Sequence, residues 1–114
     1  LGEMRRLGVA CGARPGTFSG LSGMGDLTVT CFSQLSRNRT LGERLARGES
    51  LDTVLSEATA EGHPTTRSAH QVARRLGITT PIIDQVHAML YGGKDARTAM
   101  HDLLTRESKA EDQD

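Results

Sequence analysis

TTRSAHQVARRLGITTPIIDQVHAMLYGG, Thr65 to Gly93, decides the fold class. Ala69, Val72, Ala73 and Leu76 recur at helical spacing, with Arg67, Arg74 and Arg75 on the other side, and Gly77 closes the pattern. Three residues later Thr80 and Pro81 form a cap and first-turn pair, and Ile82, Val86, Met89 and Leu90 follow at i, i+4, i+7 and i+8 until Gly92 and Gly93. Two helices joined by a short turn must bury their apolar stripes on each other or on further helices.

Working outward, the same punctuation recurs. Residues 95–105 predict a last helix presenting Ala96, Met100, Leu103 and Leu104, and the polar segment 107–114 is expected to be disordered. Ser50 is placed to cap a helix through Glu57 that buries Leu51, Val54 and Leu55. Ser36 is placed to cap another from Arg37 to about Ala46, stopped by Arg47 and Gly48. Upstream, Met4, Leu7 and Cys11 share one face of a helix ending near Gly12, and Pro15 to Ser19 predicts a short helical turn. That first pattern starts with no cap and no initiator Met before it, as a fragment would.

Composition agrees. The 114 residues suit one domain, residues 1–106, and 3% aromatic residues leave a core of Leu, Ile, Val, Met and Ala, as helix-on-helix packing permits. The expectation is an all-α bundle of six to eight short helices. Fourteen basic and fourteen acidic residues cancel, which removes the field a dedicated nucleic-acid or anionic-membrane binder shows, so an anion must be gripped locally. No apolar run approaches the roughly 20 residues of a membrane span, and the four histidines match no zinc pattern. Cys11 and Cys31 have no paired spacing and read as reduced core cysteines of a cytosolic protein.

The segment from Gly20 to Arg39, GLSGMGDLTVTCFSQLSRNR, concentrates the chemistry. Gly20, Gly23 and Gly25 let the backbone turn sharply or approach another surface, but their order is not the G-x-G-x-x-G of a dinucleotide loop. Asp26 can cap the following run, which is β-prone at Thr28–Thr30, and can equally hold a substrate hydroxyl at a cleft edge. Ser36, Arg37 and Asn38 put a hydroxyl, a guanidinium and a carboxamide at a helix start, where unpaired amides favour an oxyanion. A solvated cap with surface arginines, and contact with nucleic-acid phosphates through Arg37 and Arg39, are the other readings of the same four residues. Glu61 reads by itself as a surface carboxylate at a helix end.

Together, TFSGLSGMGDLTVTCFSQLSRNRTLGERLARG, the later AEG and PIIDQVHAMLYGGKDARTAMHDLL resemble the C-terminal helical domain of bacterial NAD(P)-dependent glycerol-3-phosphate dehydrogenases, a fold of the 6-phosphogluconate-dehydrogenase-like kind. The likeness runs from Leu1 to about Arg106. It implies reduction of dihydroxyacetone phosphate to sn-glycerol 3-phosphate with NADH or NADPH, for phospholipid synthesis, in a cytoplasmic enzyme whose N-terminal half is a Rossmann domain that holds most of the cofactor. No metal, nucleic acid or membrane is implied; a homodimer through the helical domain is compatible with it.

By motif position the resemblance assigns Asp26 to the substrate's hydroxyl-bearing carbon, with Thr30 near it in support. Ser36, Arg37 and Asn38 are assigned to substrate binding, with Arg37 and Asn38 at the phosphate. Arg37, Glu61 and the weaker match Thr59 are assigned to the cofactor. The family's catalytic lysine lies upstream of these motifs, and the lysines here are Lys94 and Lys109. By itself the chain is therefore expected to be inactive. The alternative from another class is a non-catalytic helical binding or oligomerisation module.

Overall fold

A computed structural model describes residues 1–33 and 35–106. The expected polar tail, 107–114, lies outside them. Among the described residues the chain is all-helical, with seven α-helices: α1 Gly2–Ala10, α2 Asp26–Phe32, α3 Arg37–Ala46, α4 Leu51–Glu57, α5 Gly62–Leu76, α6 Pro81–Tyr91 and α7 Ala96–Thr105.

The local caps form as their residue types require. Ser36 and Ser50 accept the amides of Arg39 and Thr53, and Asp95 accepts those of Arg97 and Thr98. Gly77 ends α5 in the left-handed conformation, φ +68°, and the Ile78 amide bonds back to the Ala73 carbonyl at 2.9 Å.

The core is small and aliphatic. Leu41, Val54, Ala60 and Leu90 are buried together, with Leu45, Leu51 and Val86 packed around them, so α3, α4 and α6 meet beneath the loop that leads into α5. Buried Ala73 and Ala99 give α5 and α7 the small surfaces on which helices approach closely. Leu76, Ile82, Met100 and Leu104, expected on inward stripes, are instead exposed. The periodicity placed them on the correct side of each helix, but the bundle is too thin to cover the full width of each stripe. Cys11 and Cys31 are free, as expected, yet both are exposed.

Between α1 and α2 the glycine-rich stretch forms two short helical turns separated by an extended Gly20. A 3₁₀ turn over Pro15–Ser19, as expected, is followed by a π-helical turn over Leu21–Gly25 that runs directly into α2. Gly25 keeps helical dihedrals and the Asp26 side chain caps nothing, which corrects its expected capping role. The β-prone Thr28–Thr30 is helical, and the Thr28 hydroxyl donates to the Met24 carbonyl at 2.7 Å, one turn back. Phe18 explains two glycines. A Cβ on Gly8 would lie 2.0 Å from the Phe18 ring, and one on Gly23 2.3 Å from its carbonyl oxygen, so the ring and its backbone are wedged where only glycine leaves room.

The cap of α6 departs furthest from sequence expectation. Thr80 makes no capping bond; its hydroxyl turns to Asp84 Oδ1 at 3.1 Å. The buried Glu3 carboxylate of α1 serves instead, accepting the Ile82 amide at 2.8 Å and the Ile83 amide at 2.9 Å. Nearby, Arg6 Nε donates to the Thr79 carbonyl at 3.2 Å. Glu3→Ala is expected to lower stability by about 2 kcal/mol, since it strips a charged acceptor from two partly buried amides, and the thermal midpoint by about 10 °C. Glu3→Gln is expected to recover part of both in thermal unfolding followed by circular dichroism.

Candidate functional site

The start of α3 faces the start of α5. Ser36 Oγ takes the Arg39 amide at 3.2 Å, while the Arg37 and Asn38 amides have no acceptor among the described residues, as expected for the first positions of a helix. Two donors therefore project beyond the positive end of a ten-residue helix.

The two arginines of the cluster differ. Arg39 Nε is held by Glu43 at 2.8 Å, one turn along α3, and Glu43 also meets Arg47 at 3.5 Å. Arg37 is exposed and its guanidinium has no ion-pair partner among the described residues. One guanidinium completes the helix surface and the other is left to meet an external anion.

Asn38 is oriented by the backbone. Its Oδ1 accepts the Gly62 amide at 2.8 Å, a contact across 24 residues that ties α3 to the first residue of α5. With the oxygen so committed, the carboxamide NH2 is left as a pair of donors with no acceptor among the described residues. A Cβ on Gly62 would lie 2.7 Å from the same Oδ1, so an alanine there would push the Asn38 carboxamide aside.

Beside this junction stand Glu61, at the N-cap of α5 with no capping bond from its side chain, and Thr59 in the preceding loop; both are exposed. The structure thus gathers Asn38 and the Glu61–Gly62 pair at one junction, with Ser36 and Arg37 on the same first turn of α3. Asp26 and Thr30 belong to a separate helix, α2. They sit one turn apart and exposed, and the Asp26 carboxylate has no hydrogen-bond partner among the described residues. It is open to accept a donor from outside.

Sequence reading missed a ladder of rings that braces α5 against α6. His63 stacks on Tyr91 with centroids 4.8 Å apart, Tyr91 lies 5.2 Å from His87, and His87 stacks on His70 at 3.8 Å and 10°. His63 and His70 are two turns apart on α5, and His87 and Tyr91 one turn apart on α6, so the spacing carried the signal once the helices were known to pair. Partial burial, then the adjoining His70 ring and the arginines 67 and 74, push the His87 imidazole below its ordinary range, while Asp84 opposes them. His70 Nε2 also lies 3.6 Å from Asp84 Oδ1.

No cluster of residues able to hold a metal ion is found among the described residues. No helix among them is long and apolar enough to cross a membrane.

Residues 1–101 match the family described as NAD-dependent glycerol-3-phosphate dehydrogenase C-terminus. Glycerol-3-phosphate dehydrogenases [NAD(P)+] from Citrifermentans bemidjiense and Syntrophotalea carbinolica are 52% and 54% identical over 113 residues, covering 97% of this chain and 34% of each relative. The crystal structure of glycerol-3-phosphate dehydrogenase from Coxiella burnetii superposes with a TM-score of 0.87 at 35% identity, over 91% of this chain and 33% of that one. The chain spans about a third of the length of the relatives it matches.

Two outcomes follow from the geometry. Gly62→Ala is expected to fold with its thermal midpoint little changed, since alanine favours the helix by about 1 kcal/mol, while the Asn38 side-chain amide pair moves to solvent-like shifts in ¹⁵N–¹H spectra. Folded His87 takes up a proton less readily than the unfolded residue, so stability is full above the ordinary value of 6.5 and falls as pH drops below it. Thermal midpoints taken at descending pH from about 7 should show this loss, and His87→Phe, which keeps the stack without the titration, should flatten it.

Proposed function

We propose, from the premise that this chain belongs to the NAD-dependent glycerol-3-phosphate dehydrogenase C-terminal family, that it provides the substrate-binding domain of an enzyme reducing dihydroxyacetone phosphate to sn-glycerol 3-phosphate. In this reading residues 1–106 are that domain, and a Rossmann domain with the general acid lysine is supplied by the remaining length seen in the relatives.

The observation that carries the reading is the start of α3. The free Arg37 guanidinium, the open Arg37 and Asn38 amides and the Asn38 NH2 offer converging donors to a phosphate dianion. Ser36 shapes that turn by holding the Arg39 amide. A preorganised grip on the non-reacting phosphate lets binding energy orient the carbonyl at the other end of a three-carbon substrate. Asp26 then accepts the substrate hydroxyl, with the Thr30 hydroxyl one turn on in support.

A nicotinamide cofactor, NAD or NADP, supplies the hydride when bound. The exposed Glu61 carboxylate, with Thr59 beside it and Arg37 across the junction, fits the edge of such a group: one acceptor, one hydroxyl and one cation. Most of its binding falls to the other domain. No metal is needed, and the assignment is to a cytoplasmic enzyme of glycerophospholipid synthesis.

Exposed apolar residues support a chain built to be covered. Leu21, Val29 and Phe32 are 90%, 71% and 80% exposed around the π-helical turn and α2, more apolar surface than a monomer keeps without a partner surface. That face suits the rest of the enzyme or a second copy.

The test places this chain in the Citrifermentans bemidjiense enzyme in exchange for its matching third and follows NADH oxidation with dihydroxyacetone phosphate. Arg37→Ala is expected to lower kcat/KM by about 10- to 150-fold, the loss of one charged phosphate contact of about 1.5–3 kcal/mol. Activity equal to that of the unsubstituted chimera would refute the phosphate role.

A further inference from the structure

We infer that Tyr91, the last residue of α6, is a positioning residue for the phosphate-facing cluster, an inference that rests on the substrate reading above. Its hydroxyl donates to the His63 carbonyl at 2.6 Å, in the first turn of α5. Its ring is held between those of His63 and His87, and His87 is stacked in turn on His70.

The consequence lies one residue earlier. The Gly62 amide is a first-turn donor without an intrahelical acceptor, and Asn38 Oδ1 is the group that satisfies it. Where α5 begins therefore sets where the Asn38 carboxamide points, and Tyr91, on α6, is a second side chain that ties the beginning of α5 to another helix. The contact is close, because a methyl group on Gly62 would push the Asn38 carboxamide aside.

Tyr91 is itself 39% exposed, so water could satisfy its hydroxyl at little cost and stability alone does not require the bond. The ring supplies stacking whether or not it carries oxygen. The hydroxyl is the part whose effect reaches Asn38 and, through the same turn, Glu61, without contact with either ligand.

Tyr91→Phe and Asn38→Ala, singly and together in the chimera, test this. Tyr91→Phe should raise KM for dihydroxyacetone phosphate about fivefold and leave kcat within about twofold, with no further rise when Asn38 is already alanine. An unchanged KM, or an equal rise in the Asn38→Ala background, overturns the inference. If the unsubstituted chimera does not reduce dihydroxyacetone phosphate, or Arg37→Ala leaves its kcat/KM unmoved, the substrate reading fails instead. Amide hydrogen exchange over residues 61–66 then decides the positioning role: faster exchange in Tyr91→Phe supports it, and unchanged exchange overturns it.

Discussion

The Glu3 carboxylate on the first amides of α6 is the contact on which the placement of the N-terminal third depends. Those amides, at Ile82 and Ile83, have no acceptor within their own helix, and Thr80, the residue in position to cap them, spends its hydroxyl on Asp84. A negative charge at the positive end of α6 meets both needs, and with Arg6 on the Thr79 carbonyl it fixes α1 against the turn between α5 and α6. From α1 the order passes through Phe18, seated against Gly8 and Gly23, to the π-helical turn and so to Asp26. A carboxylate at the start of the chain thus sets the frame for a carboxylate 23 residues later.

The other end of the proposed site has a different support. The buried cluster of Leu41, Val54, Ala60 and Leu90 lies beneath the α3 start and the loop into α5, so the backbone that carries Asn38 and Gly62 rests on the best-packed part of the chain. Flanking charges reinforce it. Arg44 is gripped by Glu49, with contacts at 2.7 and 3.0 Å, and by Glu57, which joins α3 to α4 and holds the guanidinium charged. Lys94 joins Gln85 of α6 at 2.6 Å to Asp102 of α7 and holds that carboxyl below its ordinary range. Such pairs are exposed enough that their individual worth is small, but they fix the angles at which the helices emerge.

What the sequence disclosed and what it withheld divide by distance along the chain. Ser36 and Ser50 cap helices by reaching amides three residues away, so the pattern of the chain was sufficient to place them; Asp95 does the same for α7, though the pattern makes it that helix's first residue. Asp26 misled because the same pattern, a carboxylate after glycines, assumes that the chain ahead of it is not helical; the π-helical turn continues through Gly25 and removes the need for a cap. The Glu3 contact spans 79 and 80 residues and the Asn38 contact 24, and no periodicity records such pairings. Of the candidate site, the residue types in SRNR were legible as anion donors. The inequality of Arg37 and Arg39 went unread, although Glu43 stands four residues after Arg39 on the expected helix and takes its guanidinium. Exposed Leu76, Ile82, Met100 and Leu104 show the limit of a stripe: it gives the side of a helix that faces inward and leaves open how much of that side is covered.

These supports give the two ends of the proposed site unequal rigidity. Asn38 is held by a backbone amide, beside a glycine that leaves its carboxamide room and near the buried cluster, so in the proposed reading part of its ordering precedes any ligand. Asp26 stands on α2, a seven-residue helix whose Val29 and Phe32 are largely exposed and which buries none of its own residues fully. A helix that short gains little from its own hydrogen bonds and depends on tertiary cover. Cover over that apolar face would therefore stiffen the Asp26 end while leaving the α3 end as it is. In the proposed reading the α3 donors are set by this chain's own packing, and the alignment of the Asp26 end is the property that assembly with a further surface would add.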